Sequence, residues 1–461
     1  MAKANNNNQQ ATKAFLTDGM PLPQRYFAIL TLCFGTSLVV IDSSIASVAL
    51  PTIARDLNVK ESEAVFIVTI YQLMLVMCLL PLSAMAERIG YRKMYRSGLA
   101  IFALGTGLCV FVNNLPMLLF LRVLQSIGAA AVMSVSAALL RPIYPKAMLG
   151  RGMALNSVIV ASSSALAPTL GGYILSIADW PLIFAVSAPF AVLGLILSRF
   201  LPPPKRRDIP YDTISALHSA LTFGLLIAGL EIAVHSESKA LAIILALSGI
   251  TSAVMFVRLQ NKAENPILPV DLLSKPLFSF SISGAFLAFT ASMMLIVLIP
   301  FMLEKRYAFN PGEIGTILAA WPLTAVIAAP LAGILSDRFN PAILGTLGTA
   351  VAVLGLAALY TLPVDPLKTD IAWRLAFCGG GFSMFLAPNA RLIIGNAPPE
   401  RVAPVGGLIA TTRLSGQTFG ASLAAALLAN SMGIGKEAIL LPITLTVLAG
   451  LCSASRLWIR E

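Results

Sequence analysis

Apolar runs recur along the chain, each long enough to cross about 30 Å of hydrocarbon and separated from the next by a short polar or Pro/Gly-rich joint. The pattern predicts spans near residues 25–50, 64–84, 95–113, 115–140, 150–177 and 181–200, then 212–233 and 239–257. Six more follow near 277–303, 313–335, 342–362, 371–394, 403–430 and 438–458, fourteen in all. The expected class is an all-α polytopic membrane protein. The joint Leu201-Pro-Pro-Pro-Lys-Arg-Arg-Asp-Ile-Pro-Tyr211 is proline-rich and basic, hence stiff and polar, and marks a boundary. The expected organisation is a disordered cytoplasmic tail over 1–24, six spans over 25–200, a linker segment carrying two spans over 201–276, and six further spans over 277–461.

Composition agrees with this pattern: 57% of residues are hydrophobic and 11% charged, with a mean hydropathy of +0.84. A soluble protein carries roughly 25% charged residues, so a globular reading leaves too little polar surface. The net charge of +11 comes from lysines and arginines between the spans, which points to membrane orientation and away from nucleic acid. With the N-terminus in the cytoplasm, Lys and Arg on the inner side outnumber those on the outer side roughly threefold, so both termini are expected inside. The five cysteines lie in apolar runs without metal-ligand spacing, and they read as small hydrophobes. His218 and His235 are isolated. The N-terminal tail has no signal-peptide core or cleavage site. There is no Gly-Lys-Ser/Thr phosphate loop, no recognisable Ser, His and Asp arrangement and no metal cluster, so neither an enzyme nor ATP-driven pumping is expected.

Asp42 interrupts the first run, roughly 24 Å along the helix from Tyr26. An ionised carboxylate in a span costs about 2.5–3.5 kcal/mol on insertion scales, and such residues mark ion or proton paths. Removal from water favours the protonated form of a carboxyl group, which lets it gain and lose a proton near neutrality. The bland alternative is a helix-to-helix hydrogen bond. Arg122, in the fourth run, cannot shed its proton in a protein, so it must face water, an acid or backbone carbonyls; one structural reading has it holding carbonyls of the first span.

Two joints look like copies: Ser83-Ala-Met-Ala-Glu87-Arg88-Ile-Gly90-Tyr-Arg92-Lys93 and Gly333-Ile-Leu-Ser-Asp337-Arg338-Phe-Asn340. Such symmetry is expected of transporters built from parallel halves. The acids and arginines can latch a helix end in one conformer, or the basic residues can simply fix orientation.

These joints resemble the loop motif of the major facilitator superfamily. Asp42-Ser-Ser-Ile-Ala-Ser-Val-Ala-Leu-Pro51 resembles the first-span signature of its fourteen-span drug:proton antiporter-2 branch. Leu121-Arg122-Val-Leu-Gln125-Ser-Ile-Gly128 resembles the family's second motif, whose arginine is associated with proton transfer. Ser163-Ser-Ala-Leu-Ala167-Pro168-Thr-Leu-Gly171-Gly172 resembles the antiporter motif, with Ser163 and Ala167 where the family has glycine.

The resemblance implies two six-helix halves plus an inserted hairpin and a proton-coupled antiporter in a bacterial inner membrane. It would act as a monomer and export small amphipathic or cationic compounds by alternating access. The alternatives are a carrier of one physiological metabolite and, more remotely, a membrane sensor or scaffold. The proton gradient supplies the energy and no cofactor is expected; the partners are a small-molecule substrate, protons and lipid. Asp42 and Arg122 are expected to couple protons. Tyr71, Gln72, Gln125, Asn156, Trp321, Asn389, Arg413 and Gln417 are the candidates for the substrate cavity. Ser163, Ala167, Pro168, Gly171 and Gly172 are expected to form a sealing seam, and Glu87, Arg88, Gly90, Arg92, Asp337 and Arg338 a cytoplasmic gate.

Overall fold

The structure, a computed structural model, describes residues 19–145, 149–203, 212–235, 238–262, 268–336, 338–398, 402–430 and 432–458. The expected 1–24 tail, the 201–211 joint and Asp337 thus lie wholly or partly outside the described residues. Among the described residues all regular elements are helical.

The first group of helices is α1 (Gln24–Asp56), α2 (Glu61–Ile89), α3 (Tyr91–Leu108), α4 (Leu115–Ile143), α5 (Leu149–Ile177) and α6 (Pro181–Phe200). Next come α7 (Thr213–His235) and α8 (Lys239–Lys262). The last group is α9 (Pro276–Tyr307), α10 (Pro311–Leu335), α11 (Pro341–Tyr360), α12 (Lys368–Gly395), α13 (Val402–Ala429) and α14 (Leu440–Ser455).

Eleven helices among the described residues are long and apolar enough to cross a membrane. The helices α5, α12 and α13 are not among them. The first and last of these border residues outside the described set, and α12 carries Lys368, Asp370, Arg374 and Arg391. Several helices overrun the apolar stretches that predicted them: α1 continues to Asp56 and α9 to Tyr307. A helix satisfies its own backbone whether or not its ends lie in hydrocarbon.

Local chemistry sets the helix ends. The Asn114 carboxamide accepts the Met117 N–H at 2.9 Å, and Asn310 and Glu313 form a reciprocal capping box before α10. Between α2 and α3 stands Gly90 at φ +97°, ψ 134°. That conformation is strained for any residue with a Cβ, so this glycine turns the chain without a loop.

The first six helices pack among themselves, chiefly as α3 on α4, α2 on α4 and α1 on α5. The last six do likewise through α11 on α12, α10 on α12 and α9 on α13. The two groups meet along α2 with α13 and α5 with α10, with a smaller contact of α1 with α9. The α7–α8 pair packs on itself and, through α7, against both α2 and α13. Large apolar side chains cover the outer surface, among them Phe120, Ile243 and Leu354, a belt that water would not tolerate and lipid does.

Candidate functional site

In α1 and α4 the first bundle holds its buried charges. Arg122 and Asp42 are both fully buried, and Arg122 Nη1 donates to Asp42 Oδ2 at 2.8 Å. The guanidinium is fixed from several sides: Nε donates to the Ile67 carbonyl of α2 at 3.3 Å and Nη1 also to Gln125 Oε1 at 2.9 Å. Its flat faces meet the rings of Tyr71 and Phe184, 4.1 and 5.0 Å from the ring centroids, contacts that repay part of the desolvation of a cation. Of the two predicted ways to satisfy Arg122 within protein, the structure uses both, an acid and a backbone carbonyl. That carbonyl belongs to the second helix, where the sequence reading had the first.

The pair is satisfied on one edge only. Asp42 Oδ1, Arg122 Nη2 and the Tyr71 hydroxyl have no hydrogen-bond partner among the described residues. One carboxylate oxygen therefore retains its lone pairs, in a site without bulk water.

Tyr71 also belongs to the wall of a cavity of about 180 Å³ between the two bundles. The first bundle supplies Ser43, Ser44, Ser47, Gln72 and Ser164; the second supplies Trp321, Arg413 and Gln417. Trp321 is held by stacking on Phe382, centroids 5.3 Å apart. Apolar side chains such as Val40, Met293 and Leu318 complete the lining.

Of the candidates for a substrate cavity, Tyr71, Gln72, Trp321, Arg413 and Gln417 line this space. Gln125 and Asn389 do not. Gln125 is fully buried behind Arg122, its amide donating to Thr106 Oγ1 at 3.1 Å and meeting Cys109 Sγ at 3.5 Å; it orients the arginine. Asn389 is turned into the second bundle, donating to the Ser281 carbonyl at 3.0 Å and accepting from Arg456. Both carboxamides are consumed by a buried guanidinium, a demand that outweighs exposure to a cavity. The side chain of Asn156 lies outside the described residues.

On α5, Pro168 lines the cavity, while Ser163 and Ala167 are buried. Gly171 lies against Ile45 of α1, and Gly172 lies against α10, where an added Cβ would stand 3.0 Å from Gly315 Cα and 2.8 Å from the Pro311 carbonyl oxygen. The two bundles touch backbone to backbone at this point.

Beyond that contact the same end of the molecule is closed. Leu50 and Ile53 join Met294, Leu298 and Phe301 in one apolar cluster that spans both bundles. Arg55 Nη1 meets Glu304 Oε1 at 2.8 Å, and Lys305 pairs with Glu61, so two ion pairs bridge the halves where α1 ends and α2 begins. In the joint proposed as a gate, at the opposite end, Gly90 is buried, Glu87 and Arg92 are half-buried, and Arg88 and Arg338 are exposed. No ion pair engages these four charged side chains among the described residues.

The sequence reading missed the bridging pairs and Arg456. Arg456 is buried at the end of the last helix and donates to Ser281 Oγ at 3.1 Å, to Asn389 and to the Ser453 carbonyl at 3.3 Å. The usable signal was an arginine inside an apolar run, the same signal that picked out Arg122. The bridging pairs had no local signal, since their members come from opposite halves of the chain.

The family model described as Major Facilitator Superfamily matches residues 32–421, with a second match over 281–461. The uncharacterized transporter YebQ of Escherichia coli strain K12 is 43% identical over 414 residues, 89% of this chain and 91% of that protein. The riboflavin transporter RibZ of Clostridioides difficile strain 630 is 26% identical over 422 residues, 89% of this chain and 90% of its own. Relatives described as multidrug resistance or efflux proteins match at 25% and 27% identity. Among solved structures, a POT family transporter in complex with a thioalcohol-conjugated peptide superposes with a TM-score of 0.71 at 15% identity, covering 93% of this chain and 95% of the other. The buried ion pair behind a cavity between two helical bundles thus sits in a fold shared with transporters, and the chain belongs to the major facilitator superfamily as a multi-pass membrane transporter.

Proposed function

We propose that this chain is a proton-coupled secondary antiporter that exports small amphipathic compounds by alternating access, as a fourteen-span member of the drug:proton antiporter-2 branch. The observation that carries the reading is the Asp42–Arg122 pair, sealed from water one residue behind the cavity wall with one carboxylate oxygen unengaged. In the ionised state the carboxylate holds the guanidinium. A proton taken at Asp42 releases it, and Tyr71, which touches Arg122 and lines the cavity, transmits the change to the substrate space. The driving force is adequate: a potential of 100 mV is worth about 2.3 kcal/mol per charge moved.

The excess of Lys and Arg in alternate joints supports cytoplasmic termini in a bacterial inner membrane. With that orientation the bridged end faces outward. The relatives named as multidrug proteins support export of foreign amphipathic compounds. The likeness to RibZ favours the second reading, carriage of one metabolite.

The test is proton-driven flux in reconstituted vesicles. Asp42→Asn should abolish flux coupled to an imposed pH gradient while protein level and membrane insertion persist. Coupled flux that survives the change rules out Asp42 as the coupling group.

A further inference from the structure

The charge inventory of the cavity narrows the substrate class. Asp42 is the only Asp or Glu placed in the middle of a predicted span, and Arg122 already claims it at 2.8 Å. Among the described residues the charged side chain that lines the wall is Arg413. It is half-buried on α13, and among the described residues no hydrogen bond or ion pair engages its guanidinium. An arginine cannot relieve its burial by losing its proton, and a cation that has lost part of its water without gaining a counter-ion is unfavourable. The site therefore carries a net positive charge that an anionic occupant would neutralise.

The neighbours of Arg413 say what else that occupant has. Gln417 is one turn further along the same face of α13, so a guanidinium fork and a carboxamide present donors side by side. The half-buried ring of Trp321 lines the same wall, a flat apolar surface of the kind that receives an aromatic body. Ser43, Ser44 and Ser47 offer hydroxyls and no charge.

We infer that the cavity selects aromatic or otherwise planar compounds bearing a carboxylate or similar anionic group, with Arg413 as the specificity-determining residue. The inference rests on the proposed function only in taking this cavity as the transport site, and it holds against the cationic compounds expected from the sequence. An ammonium compound would face Arg413 with no free carboxylate to meet it. A carboxylate gains a two-pronged, charge-assisted hydrogen bond.

The test is equilibrium binding to the full-length chain in nanodiscs without any ion gradient, by calorimetry corrected with empty nanodiscs. The probes share one aromatic body: 2-naphthylacetate, 2-(2-naphthyl)ethanol and 2-(2-naphthyl)ethylamine. The acid should bind at least about tenfold more tightly than the amine, with the alcohol between them. Arg413→Gln should remove that preference, and Arg413→Lys should keep part of it. Three results overturn the inference: no saturable binding of the acid, binding of the amine as tight as that of the acid, or a preference that survives in folded Arg413→Gln. Should Arg413→Gln fail to fold, the comparison of the three probes on the unaltered protein decides by itself. The measurement needs no proton gradient, so its outcome is separate from that of the Asp42→Asn flux experiment.

Discussion

Asp42 and Arg122 are 80 residues apart in the chain and 2.8 Å apart in the fold, each with no exposed surface. A buried pair of this kind is weak evidence for stability as such, because desolvation cancels most of the attraction, yet removal of one partner leaves an uncompensated charge.

The two single variants should therefore cost more than the double. Arg122→Gln should destabilise the folded chain by about 3–5 kcal/mol. Combining it with Asp42→Asn should restore most of that loss. Thermal unfolding in detergent of the four proteins of the cycle measures the coupling; additive losses would show that the ion pair is not what holds these side chains.

Closure between the halves should depend on the backbone contact of α5 with α10. With Gly172 and Gly315 against one another, Gly315→Val cannot be accommodated without parting the helices. The expected result is a population shifted away from this conformer, read as shorter spin-label distances at the opposite end and slower transport. An unchanged distance distribution would show that the contact does not control the equilibrium.

The bridging ion pairs should bias that equilibrium only modestly. Arg55 and Lys305 are 62% and 49% exposed, and pairs in such settings are worth about 0–1 kcal/mol each. Glu61→Gln with Glu304→Gln should raise labelling of a Ser47→Cys reporter from the bridged end by about two- to tenfold, and high salt should raise it in the unaltered bridges too. Labelling that ignores both the substitutions and salt would mean the apolar cluster around Phe301 does the closing alone.

Gly90 should resist any side chain. Gly90→Ala places a Cβ on a backbone at φ +97° and should cost about 1–3 kcal/mol. Circular dichroism melting checks the cost, and transport by the surviving folded fraction shows whether the joint moves during turnover.

That a helix runs along each apolar stretch was legible because a chain in hydrocarbon must satisfy its backbone locally, although helices such as α1 and α9 extend beyond those stretches. The candidates Asp42 and Arg122 were legible for the converse reason: a charge inside such a run is too costly to be incidental. Tyr71, Gln72, Trp321, Arg413 and Gln417 were identified as polar or aromatic side chains in apolar helices, and the cavity brings them together.

Sequence alone did not decide which way each polar side chain points. Gln125 and Asn389 carry the same signal as Gln72 and Gln417, yet they turn inward to serve Arg122 and Arg456. That choice depends on which buried cation stands within reach, a property of helix packing. The bridges Arg55–Glu304 and Glu61–Lys305 join residues some 250 positions apart, and periodicity carries no information about such partners. The residue types fixed the cost of burying each charge; the packing of the two bundles fixed which neighbour offsets it, and left Arg413 facing the cavity.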